Sequence, residues 1–128
     1  IDSLESGRDM EFSAVTAANS LVYSPGEPFN WENNEVTAIS GIGLAEEYAV
    51  IDKGKWQMLR DLNSTNYDEV RKLLGAAKYG LRIELEDVNG TNFGAFGLEP
   101  DGNVTVVSSA NPVLYGESKA VLKVKVFR

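Results

Sequence analysis

Neither cysteine nor histidine occurs in this chain of 128 residues. Their absence removes thiol nucleophiles, Ser-His-Asp triads, Cys/His zinc sites and imidazole-driven pH switching. There is no Ser-x-x-Lys and no Gly-x-x-x-x-Gly-Lys-Ser/Thr, so neither a serine/lysine dyad nor a phosphate-cradling loop is encoded. No apolar run approaches the length of a membrane span or a signal sequence. Positive charge is scarce, with 12 Lys and Arg against 19 Asp and Glu for a net charge of −7. An acidic surface repels phosphate backbones, and the scattered cations form no polybasic patch for anionic lipid. Nucleic acid is therefore not an expected partner, and no cofactor or metal is expected. The missing cysteines do not fix a redox compartment, because secreted proteins without disulfides are common. An initiator methionine is lacking too, and a chain opening at Ile1 leads us to expect that something upstream was removed.

What is present points to an ordinary folded domain. Hydrophobic residues make up 43% and charged residues 24%, which predicts a single domain over residues 1–128 with one core. Residues 1–22 read as a helix with Leu4, Met10, Ala14, Ala17, Ala18 and Leu21 on one face, and Glu5, Arg8, Asp9, Glu11 and Ser13 largely elsewhere. The helix is expected to stop at Ser24-Pro25-Gly26, since the residue before proline avoids helical geometry. Residues 23–128 form the expected globular head. Within it, 35–44 reads as a strand or extended segment and 48–51 as its continuation. Asp52 is expected to cap a helix over 53–62 with Trp56, Leu59 and Leu62 inward. Asn66 is expected to cap a second helix over 67–74, with Glu69 as in a capping box and Gly75 as its stop.

The second half changes period to two. Leu81, Ile83 and Leu85 alternate with Arg82, Glu84 and Glu86, and Asn89-Gly90 is a strong hairpin signal. "PDGN" at 100–103 is another turn. The last strand places Leu122, Val124 and Val126 inward and Lys123 and Lys125 outward. Helices followed by such strands predict an α+β fold, with helices packed on one face of an antiparallel meander.

Motifs that could carry chemistry fall away on inspection. "GIGLAE" from Gly41 lacks the third glycine and the strand-turn-helix context of a dinucleotide fingerprint. "DVNGTNFGAFGLE" from Asp87 has glycine at position 4 and leucine at position 12, where a calcium loop needs glycine at 6 and glutamate at 12. It reads better as a hairpin tip. Glu46, Glu47, Glu84 and Glu86 supply carboxylates of the kind that hydrolyse glycosides, but Glu84 and Glu86 lie on the polar face of a strand. Three sequons, at Asn63, Asn89 and Asn103, fall at expected turns where a glycan could be attached, although turns are rich in Asn, Gly, Ser and Thr in any case.

"SPGEPFNWE" at 24–32 raises one further question. Trp31 beside Pro25, Gly26 and Pro28 is either the plug of a structural corner or a stacking platform for a ligand, and the corner is the favoured reading. The order of features around it resembles archaeal type IV pilin-like secreted proteins made with class III signal peptides. Those features are Leu-x-Tyr-Ser-Pro-Gly-x-Pro-x-x-Trp-Glu, then Gly43-Leu44, a lysine-bearing helix, "NYDEVRKLLG", "YGLRIEL" and a closing "VLKVKVFR". Phe127 stands where such proteins lead one to expect tryptophan, and their hydrophobic N-terminal segment is absent. The resemblance implies the extracytoplasmic head of a cell-surface filament protein, acting in assembly and adhesion without catalysis. Residues 1–22 would be the lower part of a longer helix that meets other pilin-like subunits, and Leu4, Met10, Ala14 and Leu21 would hold it on the head. The missing segment would be the only contact with the membrane. The alternative is an extracellular carbohydrate- or solute-binding domain, with Trp31, Tyr48, Phe93, Phe96 and Tyr115 as stacking aromatics.

Overall fold

The computed structural model describes residues 2–33, 35, 38–63 and 65–128, with side chains from residue 8 onward. The first helix, α1 (Asp2–Tyr23), runs through Gly7 without a break. Its buried face is Met10, Ala14, Ala17, Ala18, Leu21 and Val22, the spacing of a single helical stripe. Three alanines in that stripe let the helix backbone approach the sheet closely. The side chain of Leu4 lies outside the described residues. Ser13, expected on the solvent side, is buried instead, and its hydroxyl donates to the Gly75 carbonyl at 3.1 Å. A short polar residue can join the core when a backbone oxygen is within reach.

Beyond the corner come β1 (Gly26–Glu27), a 3-10 turn (Trp31–Asn33) and β2 (Gly41–Ile42), which pairs antiparallel with β1. The strand expected over 35–44 is reduced to β2, and Val36 and Thr37 fall outside the described residues. Next are β3 (Ala45–Glu47) and β4 (Val50–Ile51), with Tyr48 and Ala49 forming the turn between them. Asp52 caps α2 (Lys53–Asp61), accepting the Lys55 amide at 3.0 Å, and Trp56, Leu59 and Leu62 are buried. Asn66 precedes α3 (Tyr67–Leu73) but makes no side-chain cap, because its carboxamide oxygen accepts from the Thr65 hydroxyl instead. Glu69 pairs with Lys72 rather than closing a capping box.

The principal strands are β5 (Gly80–Asp87), β6 (Asn92–Gly97), β7 (Val106–Tyr115) and β8 (Ser118–Phe127). Their spatial order is β3-β4-β7-β8-β5-β6. The molecule is α+β as expected, but the sheet is not a meander. Two hairpins, β5–β6 and β7–β8, are set so that β8 inserts between β5 and β7. Nor is the sheet wholly antiparallel, since β4 runs parallel to β7. Alternation reports which face each side chain takes, whereas neighbour order depends on contacts remote in sequence. Leu81, Ile83, Leu85, Val113, Ala120, Leu122, Val124 and Val126 line the inner face, and α1 packs across β7 and β8. The helices and this face share one hydrophobic core. No helix among the described residues is long and apolar enough to cross a membrane.

Candidate functional site

The corner after α1 is built from three distant parts of the chain. A helix leaves its last carbonyls without helical partners, and here the segment around β2 and β3 supplies them. The amides of Leu44, Ala45 and Ala49 donate to the carbonyls of Leu21, Ser24 and Val22 at 2.9, 3.1 and 3.2 Å. Trp31 is fully buried and its indole N–H donates to the Gly43 carbonyl at 2.7 Å. Gly43 admits no side chain, because a Cβ there would lie 2.0 Å from the Ser24 carbonyl oxygen. Gly26 combines a φ of +98° with the Trp31 ring pressed against its α-carbon, so both conformation and space demand glycine. From α2, the buried Lys55 extends its ammonium to the carbonyls of Pro25 and Phe29 at 2.7 and 2.6 Å. Pro25 and Pro28 stand on the rim, with Pro28 preceded by a cis peptide bond. Lys55 was visible in the sequence only as a lysine on a helix. Its partners are 30 and 26 residues away, and no local spacing announces them.

The five candidate stacking aromatics do not come together. Trp31 and Phe96 are fully buried. Phe93 and Tyr115 are partly buried and occupied with each other, their ring centroids 4.8 Å apart. Tyr48 alone among the five is well exposed, and it stacks on Tyr23 at 4.6 Å. Hydrogen bonding and charge interaction with Tyr48 raise the pKa of the Tyr23 phenol above the usual tyrosine value.

The β5 carboxylates on the outer face of the sheet are committed to cations. Glu84 accepts from Arg82 at 2.6 Å and pairs with Lys125 at 3.2 Å, and Glu86 pairs with Lys123 at 2.5 Å. Burial pushes the Glu84 carboxyl up, but hydrogen bonds from Arg82 and Lys125, with their charges, outweigh it and hold the pKa below the carboxylate norm. A glycosidase general acid needs the opposite displacement. Glu46 and Glu47 are solvent-exposed on β3.

Asn89 and Asn103 are exposed in turns whose backbone is fixed by Asp87 and Asp101. Asn63 is exposed as well, with its carboxamide oxygen accepting the Gly97 amide at 2.7 Å, while Ser64 of that sequon lies outside the described residues.

One feature had no place among the sequence-based candidates. On α1, opposite the buried stripe, Phe12 is 73% and Val15 46% exposed, flanked by Arg8 and Glu11. The signal was present as an aromatic out of phase with the amphipathic pattern. No protein-family model, no curated protein and no solved structure matches this chain.

Proposed function

We propose that this chain is the head of a pilin-like surface protein that joins other subunits through its N-terminal helix and catalyses no reaction. The observation that carries this reading is the outer face of α1. An aromatic and a branched aliphatic residue stand in solvent on a helix whose other face is already satisfied by the core, and their adjacency leaves an apolar spot open to contact with another macromolecule. The helix-capped, tryptophan-plugged corner fits the role by holding α1 rigidly to the head. Extracellular placement, adhesion and glycans at Asn63, Asn89 or Asn103 belong to the same proposal. The alternative of a carbohydrate- or solute-binding domain would use a shared aromatic face, and the candidate rings are dispersed or buried.

The test is immunogold electron microscopy of the cells that make the protein, combined with intact mass and peptide mapping of the native chain. Labelled surface filaments, with an additional hydrophobic N-terminal peptide, are the expected result. Label confined to the cell interior, on a native chain beginning near Ile1 with unmodified asparagines, would sink the reading.

A further inference from the structure

The sheet has two faces, and α1 covers one of them. On the other, strand register places Pro112 opposite Val121 and Leu114 opposite Lys119. With Val88 and Tyr48 at the sides, these residues form an open apolar cleft of about 370 Å³. Leu114 is 43%, Val88 62% and Tyr48 76% exposed. Lys119 stands on its rim and makes no ion pair among the described residues. Along β5, β7 and β8 this face carries Arg82, Lys119, Lys123 and Lys125 against Glu84 and Glu86, with Glu47 added at the β3 edge. Cations thus outnumber carboxylates here, on a chain whose net charge is −7. The outer face of the helix offers one charge of each sign beside Phe12 and Val15, namely Arg8 and Glu11.

We propose that the outer face of α1 in one copy docks on this back face of the next, with Phe12 and Val15 entering the apolar cleft and Glu11 facing Lys119. The inference rests on the assembly reading above and names the surface the helix meets. Charge complementarity supports this pairing. Glu11 meets Lys119 and Arg8 meets Glu47 at the β3 edge, whereas back face on back face sets Lys119 against Lys119. Dimensions agree, since 22 helical residues span about 33 Å and a ten-residue strand about 33 Å. The contact also gives the sheet a helix on each side, an arrangement in which its back-face apolar residues leave water. The two surfaces lie on opposite sides of one molecule, so the interface is heterologous. Repetition without ring closure yields an open chain of subunits.

Because the chain lacks cysteine, disulfide trapping can be read without background. Phe12→Cys and Leu114→Cys chains, each checked for native circular dichroism, are oxidised mildly alone and as an equimolar mixture. The mixture is expected to give a disulfide joining position 12 of one chain to position 114 of another, identified by peptide mass, in severalfold excess over either homodimer. Lys119→Glu on the Leu114→Cys chain should lower that yield, and Glu11→Lys on the Phe12→Cys chain should restore it. Phe12→Cys chains coupling chiefly to one another would overturn this inference while leaving helix-mediated assembly intact. Dominant Leu114→Cys homodimers, or a yield indifferent to the charge exchange, would also overturn it. No cross-link in any combination, with the unmodified chain sedimenting as a monomer throughout, would overturn both proposals.

Discussion

The indole of Trp31 satisfies a backbone carbonyl that the surrounding core has removed from water. Trp31→Phe keeps most of the apolar volume but leaves the Gly43 oxygen without that donor. It is expected to cost about 2–4 kcal/mol, combining the lost hydrogen bond with a residual cavity. The readout is the urea midpoint at unchanged m-value. Lys55 serves two carbonyls at once, and Lys55→Met is expected to destabilise by about 2–4 kcal/mol, because the Pro25 and Phe29 oxygens lose a charged donor. Lys55→Arg should not restore the loss, since a planar guanidinium cannot reproduce the point-like ammonium in that space. The tryptophan was legible in the sequence, because a large aromatic among prolines after a helix suits a corner. Its acceptor and the lysine were not, because a hydrogen bond to a carbonyl leaves no mark on the accepting residue's identity. Gly43 was visible only as part of a Gly-Ile-Gly run, with nothing to name the Ser24 backbone it lies against.

For the elements, the two faces of α1 predict opposite behaviour. Ala17→Leu drives three extra carbons into a packed helix–sheet contact and is expected to cost about 1–3 kcal/mol in chemical denaturation. Phe12→Ala on the same helix should change monomer stability by no more than about 0.5 kcal/mol. The outer face of the sheet gives a pH dependence. The folded-state pKa of Glu84 lies below its unfolded value, so the stabilisation is present above the ordinary carboxylate range and is lost as pH falls through the folded pKa. Lys123 is the mirror case. Its hydrogen bond and charge interaction with Glu86 raise its pKa, so its contribution holds below the ordinary lysine value and fades as pH climbs through the folded one. Thermal melts should show a falling midpoint below about pH 4.5, and Glu84→Gln should flatten that limb while leaving the alkaline one. A slope unchanged by the substitution would mean other carboxylates carry the acid limb. The strands themselves were easy to read, since alternation of Leu81, Ile83 and Leu85 with charged residues admits one inner face. The short pieces β1 to β4 were not. They exist because the end of α1 needs donors and β7 needs an edge partner, and neither demand is local.

At the scale of the molecule, α+β organisation followed from the change of hydrophobic period midway along the chain, while strand order did not. The two hairpins are local, but their mutual arrangement is settled by β8, which pairs along its whole length with β7 and over residues 120–127 with β5. Residues 118–127 therefore hold the sheet together, and a chain ending at residue 116 is expected to show no cooperative unfolding transition, with hydrogen exchange at β5 and β7 near random-coil rates. A folded, cooperative truncate would show that α1 and the other strands suffice. The position of β8 also bears on timing. The strand on which both hairpins converge is the last of the sheet to leave the ribosome, so translation runs nearly to the end of this segment before the core can close. Until then the inner faces of β5 and β7 have no partner strand between them, and the nascent polypeptide presents that apolar surface to any chaperone that meets it.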